Sequence, residues 1–168
     1  GHTKTKILDG GINKWISEGN AISKTVPEYP KASFKAELIS SIYCSLNDAK
    51  KGATDTNTVF WDTRSLGEYE GSTSIGETPP GRIPGAIHLE WVELFDKETK
   101  TLKSADELNH LLLSNGITPE KIVNSYWQGG ARAALATIVL KILGYENART
   151  YAGSYGQWAK QTDTQIEN

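Results

Sequence analysis

The residues best suited to chemistry lie in one short loop, Trp127-Gln128-Gly129-Gly130-Ala131-Arg132, set between Ile122-Val123-Asn124-Ser125-Tyr126 and a long apolar run to Leu143. Paired glycines allow successive backbone N–H groups to turn toward one point, and a helix starting just after them adds its partial positive charge there. The pattern is that of an anion cradle. A reactive side chain is expected at its first position, which holds Trp127. Asp62-Thr63-Arg64, Glu68 and His88 form a second group of polar residues able to ion-pair, and Arg132 could pair with Asp62 or Glu68. For both arginines a structural ion pair is the commoner outcome, and for His88 a hydrogen bond to nearby backbone.

The elements that must position these residues follow from hydrophobic period. Residues 122–126 read as a strand, and apolar residues at 135, 138, 139, 142 and 143 read as a helix stopped by Gly144. Thr58-Val59-Phe60-Trp61-Asp62 is the clearest strand of the first half, and Ile42-Tyr43-Cys44 is a shorter one before a helix capped by Ser45. Gly81-Arg82-Ile83-Pro84-Gly85 is a rigid turn feeding a third strand that ends near His88, with one short helical turn at 65–71 and another at 91–95. Ser104 and Glu107 form a capping box for a helix with Leu108, Leu111 and Leu112 inward and His110 outward. A last strand lies near 149–151. Alternation of this kind predicts an α/β fold, an open, mainly parallel five-stranded sheet with helices on both faces. Ligands of such sheets sit beyond the carboxyl ends of the strands. Asp62, Arg64, His88 and the 127–132 loop all fall there and should line one crevice.

The rest of the composition narrows the function. With 168 residues and a net charge of −2, the chain suits one core-bearing domain and has no charge excess pointing to nucleic acid or an anionic membrane. No apolar run approaches the roughly 18 residues of a membrane span. Cys44 is the single cysteine, which excludes an internal disulfide and favours a reducing, cytoplasmic setting; the periplasm is the alternative if a leader has been removed. A lone cysteine in a strand is expected to be buried and inert. His2, His88 and His110 have no ligand spacing, so neither a metal nor a cofactor is expected. The absence of methionine and the opening Gly1-His2 suggest a processed or excised chain, with Gly1-His2 an expression scar.

Lys6 to Trp15 reads as a strand, a glycine turn and a short helix ending on tryptophan, and Arg149 to Trp158 has the same shape. Aligning Gly10 with Gly153 aligns Trp15 with Trp158. Residues 1–32 are therefore expected to be the tail of a preceding repeat plus a linker containing Pro27 and Pro30, and 33–168 the main domain. Trp15, Trp61, Trp91 and Trp158 are expected in core or interdomain packing.

Taken together, Asp62-Thr63-Arg64 with Glu68-Tyr69-x-Gly71, Gly81 to Ala86, Tyr126 to Arg132 and Gly153-x-x-x-x-Trp158 resemble the rhodanese (thiosulfate sulfurtransferase) family over about residues 40–160. The leading segment resembles the end of another such domain, so the chain looks like the C-terminal part of a tandem protein with a preceding rhodanese-like partner domain. The resemblance implies a cysteine at position 127 that takes the sulfane sulfur of thiosulfate or another donor and passes it to cyanide or a thiol. An indole cannot carry a persulfide, and its bulk should fill the cradle. Four residues separate Trp127 from Arg132, the sulfurtransferase loop size rather than the five of the related phosphatases. Glu68 stands near where some active members carry a substrate-binding arginine, although many members carry glutamate there too; a carboxylate serves an anion poorly. The reading that results is a domain silent on its own, a structural or substrate-shaping half of a sulfurtransferase. An active enzyme whose natural sequence has cysteine at 127, and a pure interaction module, are the alternatives.

Overall fold

A computed structural model of the chain describes residues 4–168; Gly1 and His2 lie outside the described residues. Five strands, β1 (Tyr43–Cys44), β2 (Thr58–Asp62), β3 (Ile87–His88), β4 (Ile122–Tyr126) and β5 (Ala148–Tyr151), form one sheet in the order β1-β5-β4-β2-β3. Every pairing is parallel. The central pair is in register with Thr58 opposite Ile122 and Asp62 opposite Tyr126, which sets the end of β2 beside the start of the glycine loop.

Alternation along the strands divides the core in two. Trp61, Val123 and Ala148 face one side and pack with Leu108 and Leu112 of α4 (Ala105–Ser114) and Ala136, Val139 and Leu140 of α5 (Ala131–Ile142). Phe60, Tyr126 and Tyr151 face the other side and pack with Ala49 of α2 (Leu46–Gly52) and Tyr155 and Trp158 of α6 (Ser154–Trp158). Period-two side-chain direction in a strand produces this split directly. Removing these apolar surfaces from water on both faces is the main term holding the sheet between its helices.

Capping chemistry fixes the helix starts. Ser45, Ser65 and Ser104 each close a capping box, with Asp48, Glu68 and Glu107, at the head of α2, α3 (Leu66–Tyr69) and α4. Each box satisfies two otherwise orphaned donors. The reading of Leu108 and Leu112 as inward and His110 as outward agrees with their burial.

The N-terminal segment departs from expectation in one element. Residues 6–8 form no strand; only α1 (Gly11–Ser17) is regular there, and residues 20–39 run without helix or strand. A strand needs a partner edge, and this segment pairs with neither edge strand of the sheet, β1 or β3. Trp15, expected in packing, is 38% exposed.

Candidate functional site

β2 and β4 are neighbours at the middle of the sheet, but their connections leave in opposite directions, β2 toward β3 and β4 toward β5. A crevice opens where two such loops diverge. On the β2 side, Asp62, Thr63 and Arg64 are buried. Arg64 Nη2 donates to Asp62 Oδ2 at 2.6 Å and to the Gly81 carbonyl at 2.8 Å, while its Nε donates to both carboxylate oxygens of Asp62 at 3.0 Å. The Tyr126 hydroxyl donates to the same Asp62 Oδ2 at 2.6 Å, and Thr63 Oγ1 donates to the Tyr126 carbonyl at 2.8 Å. This buried network therefore stitches the end of β2 to the last residue before the loop. Burial raises the Tyr126 phenol well above its usual range, with the Asp62 charge adding to the rise. Arg64 lies over the Tyr155 ring at 4.2 Å, and the Asp62 carboxylate keeps its guanidinium charged despite burial.

On the β4 side, the loop from Trp127 to Gly130 leads into α5. Gly130 has φ +94°, and a Cβ there would stand 2.9 Å from the Ala152 carbonyl oxygen. Only glycine meets both demands. The loop is held from beneath by α6: Tyr155 N–H donates to the Trp127 carbonyl at 2.8 Å and Gly156 N–H to the Gln128 carbonyl at 3.1 Å. Trp127 N–H donates to Ser154 Oγ at 3.2 Å. Ser154 itself is fully buried at φ +51°, a strained conformation for a residue with a side chain. With the carbonyls tied down, the amides of residues 128–133 donate to no described protein group.

The Trp127 side chain is half-buried and folds back over its own loop, its Cζ3 3.9 Å from where a Cβ on Gly129 would stand. Arg132 stacks on it at 4.5 Å and lies 5.5 Å from the Trp91 ring. Trp127 Nε1 is buried with no hydrogen-bond partner. Arg132 Nη1 is 3.9 Å from Glu68 Oε2, an ion pair without a hydrogen bond. Glu68 Oε2 serves the Ser65 cap, and Oε1 is buried and unpartnered.

His88 sits at the end of β3 and shares a 2.9 Å hydrogen bond between Nε2 and the Arg64 carbonyl. It supports the network from outside and stacks on Tyr69 at 4.8 Å. Cys44 is far from this chemistry in role: it lies on edge strand β1, fully buried, its thiol pushed up to about 12 by burial. Among the described residues, no cluster of His, Cys, Asp and Glu has the arrangement of a metal site. Among the described residues, no helix is long and apolar enough to cross a membrane.

Sequence reasoning missed several supports. Tyr126, Tyr155, Ser154 and Trp91 all touch the site, and Gln128 Nε2 donates to Thr78 Oγ1 at 2.7 Å, drawing the 72–80 loop in. Only Tyr126 carried a signal, its position as the final residue of a strand whose partner ends on Asp62.

This fold and loop place the protein among single α/β sheets with a glycine loop beyond the central strand. The Rhodanese-like domain profile matches residues 45–161, and the chain belongs to that family. It is 31% identical over 177 residues to a thiosulfate sulfurtransferase of Pseudomonas aeruginosa, covering 99% of this chain and 61% of the relative. A sulfur carrier protein, TtuD, of Thermus thermophilus is 30% identical, with 94% of this chain and 59% of the relative covered. Among solved structures, an anaerobic ergothioneine biosynthesis enzyme from Chlorobium limicola in complex with trimethyl histidine superposes with a TM-score of 0.85 at 26% identity, covering 96% of this chain and 40% of that one. The chain thus spans about three fifths of the length of the curated relatives it matches.

Proposed function

We propose that this domain is a sulfurtransferase-type sulfur cradle whose nucleophile position is taken by Trp127, so that it does not turn over by itself. It then works as a structural or substrate-shaping half of a larger sulfurtransferase, beside a preceding rhodanese-like domain. The observation that carries the reading is the loop itself: the amides of 128–133, which donate to no described protein group, follow a first residue that is an indole. In a sulfurtransferase cycle a cysteine thiolate attacks the outer sulfur of thiosulfate, the S–S bond breaks, and sulfite leaves with the electron pair. Loop amides and the α5 terminus would favour such a thiolate and its persulfide. Trp127 offers no nucleophilic atom for that step. Cys44 does not substitute, since its thiol is buried and held protonated.

Family names of the relatives, thiosulfate sulfurtransferase and sulfur carrier protein, support a sulfane-sulfur donor as the natural ligand. The shared hook of Trp15 and Trp158, each indole donating at 2.8 Å to a carbonyl shortly downstream, supports the view of residues 1–32 as the end of an earlier copy. The test has two arms. With thiosulfate and cyanide, the chain should form no thiocyanate above buffer, and robust turnover rejects the proposal. The Trp127→Cys variant, treated with thiosulfate, should gain the mass of one sulfur atom while the parent gains none. Turnover by that variant would favour an active ancestor with cysteine at 127; no sulfur uptake would mean the loop is no longer a sulfur cradle.

A further inference from the structure

One short turn, residues 78–83, touches four side chains of the site. Thr78 Oγ1 accepts from Gln128 Nε2 at 2.7 Å, the Pro80 carbonyl from the Tyr155 hydroxyl at 3.1 Å and the Gly81 carbonyl from Arg64 Nη2 at 2.8 Å. Ile83 N–H donates to the Tyr126 hydroxyl at 3.4 Å. Three of these four contacts use the turn's backbone, so they are aimed only as well as the turn itself is held. A site keeps its working geometry when the shell behind it locks the side chains in front.

The segment 164–168 supplies that shell. Arg82 and Glu167 exchange both backbone hydrogen bonds, at 2.8 and 3.0 Å. Glu167 Oε1 accepts from Arg82 Nε at 3.0 Å and from Nη2 at 2.5 Å, and Oε2 accepts from Gly85 N–H at 2.8 Å. Gly81 has φ +110°, and a Cβ on it would stand 2.5 Å from the Glu167 carbonyl oxygen, so only glycine lets the segment lie this close. The other end of the segment is tied to α6. Thr164 Oγ1 donates to the Trp158 carbonyl at 2.8 Å, and Trp158 Nε1 donates to the Gln165 carbonyl at 2.8 Å. α6 in turn fastens the carbonyls of Trp127 and Gln128 through the N–H groups of Tyr155 and Gly156. Loop, helix, segment and turn thus close a ring of contacts that includes Arg64 and Tyr126, and one carboxylate joins the segment to the turn.

We propose that Glu167 is a positioning residue of this site: by clamping the 78–85 turn it sets Arg64 and Tyr155, and through Tyr155 the glycine loop. The inference rests on the geometry of the site and holds whichever ligand the loop takes.

The experiment is amide hydrogen exchange on the ¹⁵N-labelled chain. Tyr155 and Gly156 report the grip on the loop, and Ile122 and Val123 on β4 report opening of the whole sheet. Glu167→Ala should speed exchange at Tyr155 and Gly156 by about fivefold relative to the β4 amides. Glu167→Gln keeps a side-chain oxygen for Gly85 N–H or Arg82 and should fall between that variant and the parent. Asp163→Ala is the control: it removes the 2.6 Å ion pair with Lys50 just before the segment, which does not touch the turn, and should leave the ratio as in the parent. Equal acceleration at all four amides in Glu167→Ala would reduce Glu167 to general stability and overturn the inference, as would an equal effect of Asp163→Ala. In the Trp127→Cys background, Glu167→Ala should also slow sulfur uptake from thiosulfate, and an unchanged rate there overturns the inference as well. If Trp127→Cys takes up no sulfur at all, the sulfur-cradle reading fails and the exchange ratios alone decide the role of Glu167.

Discussion

Two stretches of this chain share a design and meet different fates. Gly10 to Trp15 and Gly153 to Trp158 each place a tryptophan five residues after a glycine, on a short helix. Each indole N–H reaches a carbonyl at 2.8 Å, that of Ala21 in the first and Gln165 in the second. Yet Trp15 is 38% exposed and Trp158 only 2%. The C-terminal stretch follows β5, packs Trp158 against Phe60 at 6.2 Å, and from its first turn ties down the glycine loop. The N-terminal stretch has no strand before it and meets the sheet domain at Asp9, whose Oδ1 accepts from Leu102 N–H at 2.9 Å. The difference teaches that the hook is local chemistry, whereas its burial depends on a strand that pairs.

The largest test of that contrast is truncation of the two indoles. Trp158→Ala should cost about 3–5 kcal/mol, the range for deleting a buried large aromatic. Trp15→Ala should stay within about 0.5 kcal/mol, as for an exposed site outside the core. Urea unfolding of both variants measures the pair, and comparable losses would mean the N-terminal copy is packed as firmly as the C-terminal one.

β1 is where the sheet begins after the exposed N-terminal segment, and Cys44 on it faces Tyr151 of β5. Its folded pKa, about 12, stands above the thiol's ordinary value of 9.0. The folded state therefore holds its proton longer than the unfolded state does. Stability from this group is complete below about pH 9 and declines between 9 and 12, by at most about 1.4 kcal/mol per pH unit. Cys44→Ala should flatten the alkaline limb of the stability curve. In the folded parent the thiol should also resist a disulfide reagent at pH 8, and fast labelling there would show that β1 opens with the N-terminal segment.

Smaller still is the contrast between the two anchors. Glu167 receives Arg82 Nη2 at 2.5 Å and Gly85 N–H at 2.8 Å, and the Gly85 contact is the chief reason its carboxyl titrates below the usual range. The side chain is 43% exposed, which screens the pair, so Glu167→Ala should cost about 1 kcal/mol. Asp9→Ala should cost less than about 0.5 kcal/mol. Melting temperatures of the two variants order the anchors, and an equal drop would erase the distinction.

Much of the scaffold was legible in the residues. The cap at Ser45, the capping box at Ser104, the stop at Gly144 and the inward leucines of α4 are local codes, each readable within a few positions. The failed strand at 6–8 looked equally good locally, since residue types cannot say whether a partner edge exists. His88 illustrates the same limit at the site: its place at a strand end was foreseen, but its hydrogen bond to the Arg64 carbonyl depends on β2 and β3 lying in register.

By itself, the sequence determined a parallel α/β sheet, the glycine loop and the presence of an indole at its head, because period, caps and turn residues act over short distances. Tertiary structure alone decided that Tyr126 and Arg64 share Asp62, that Ser154 and Tyr155 fasten the loop, and that one oxygen of Glu68 is buried without a partner. The first two facts join residues far apart in the chain, which only packing brings within a hydrogen bond of each other, and the third depends on what packing covers.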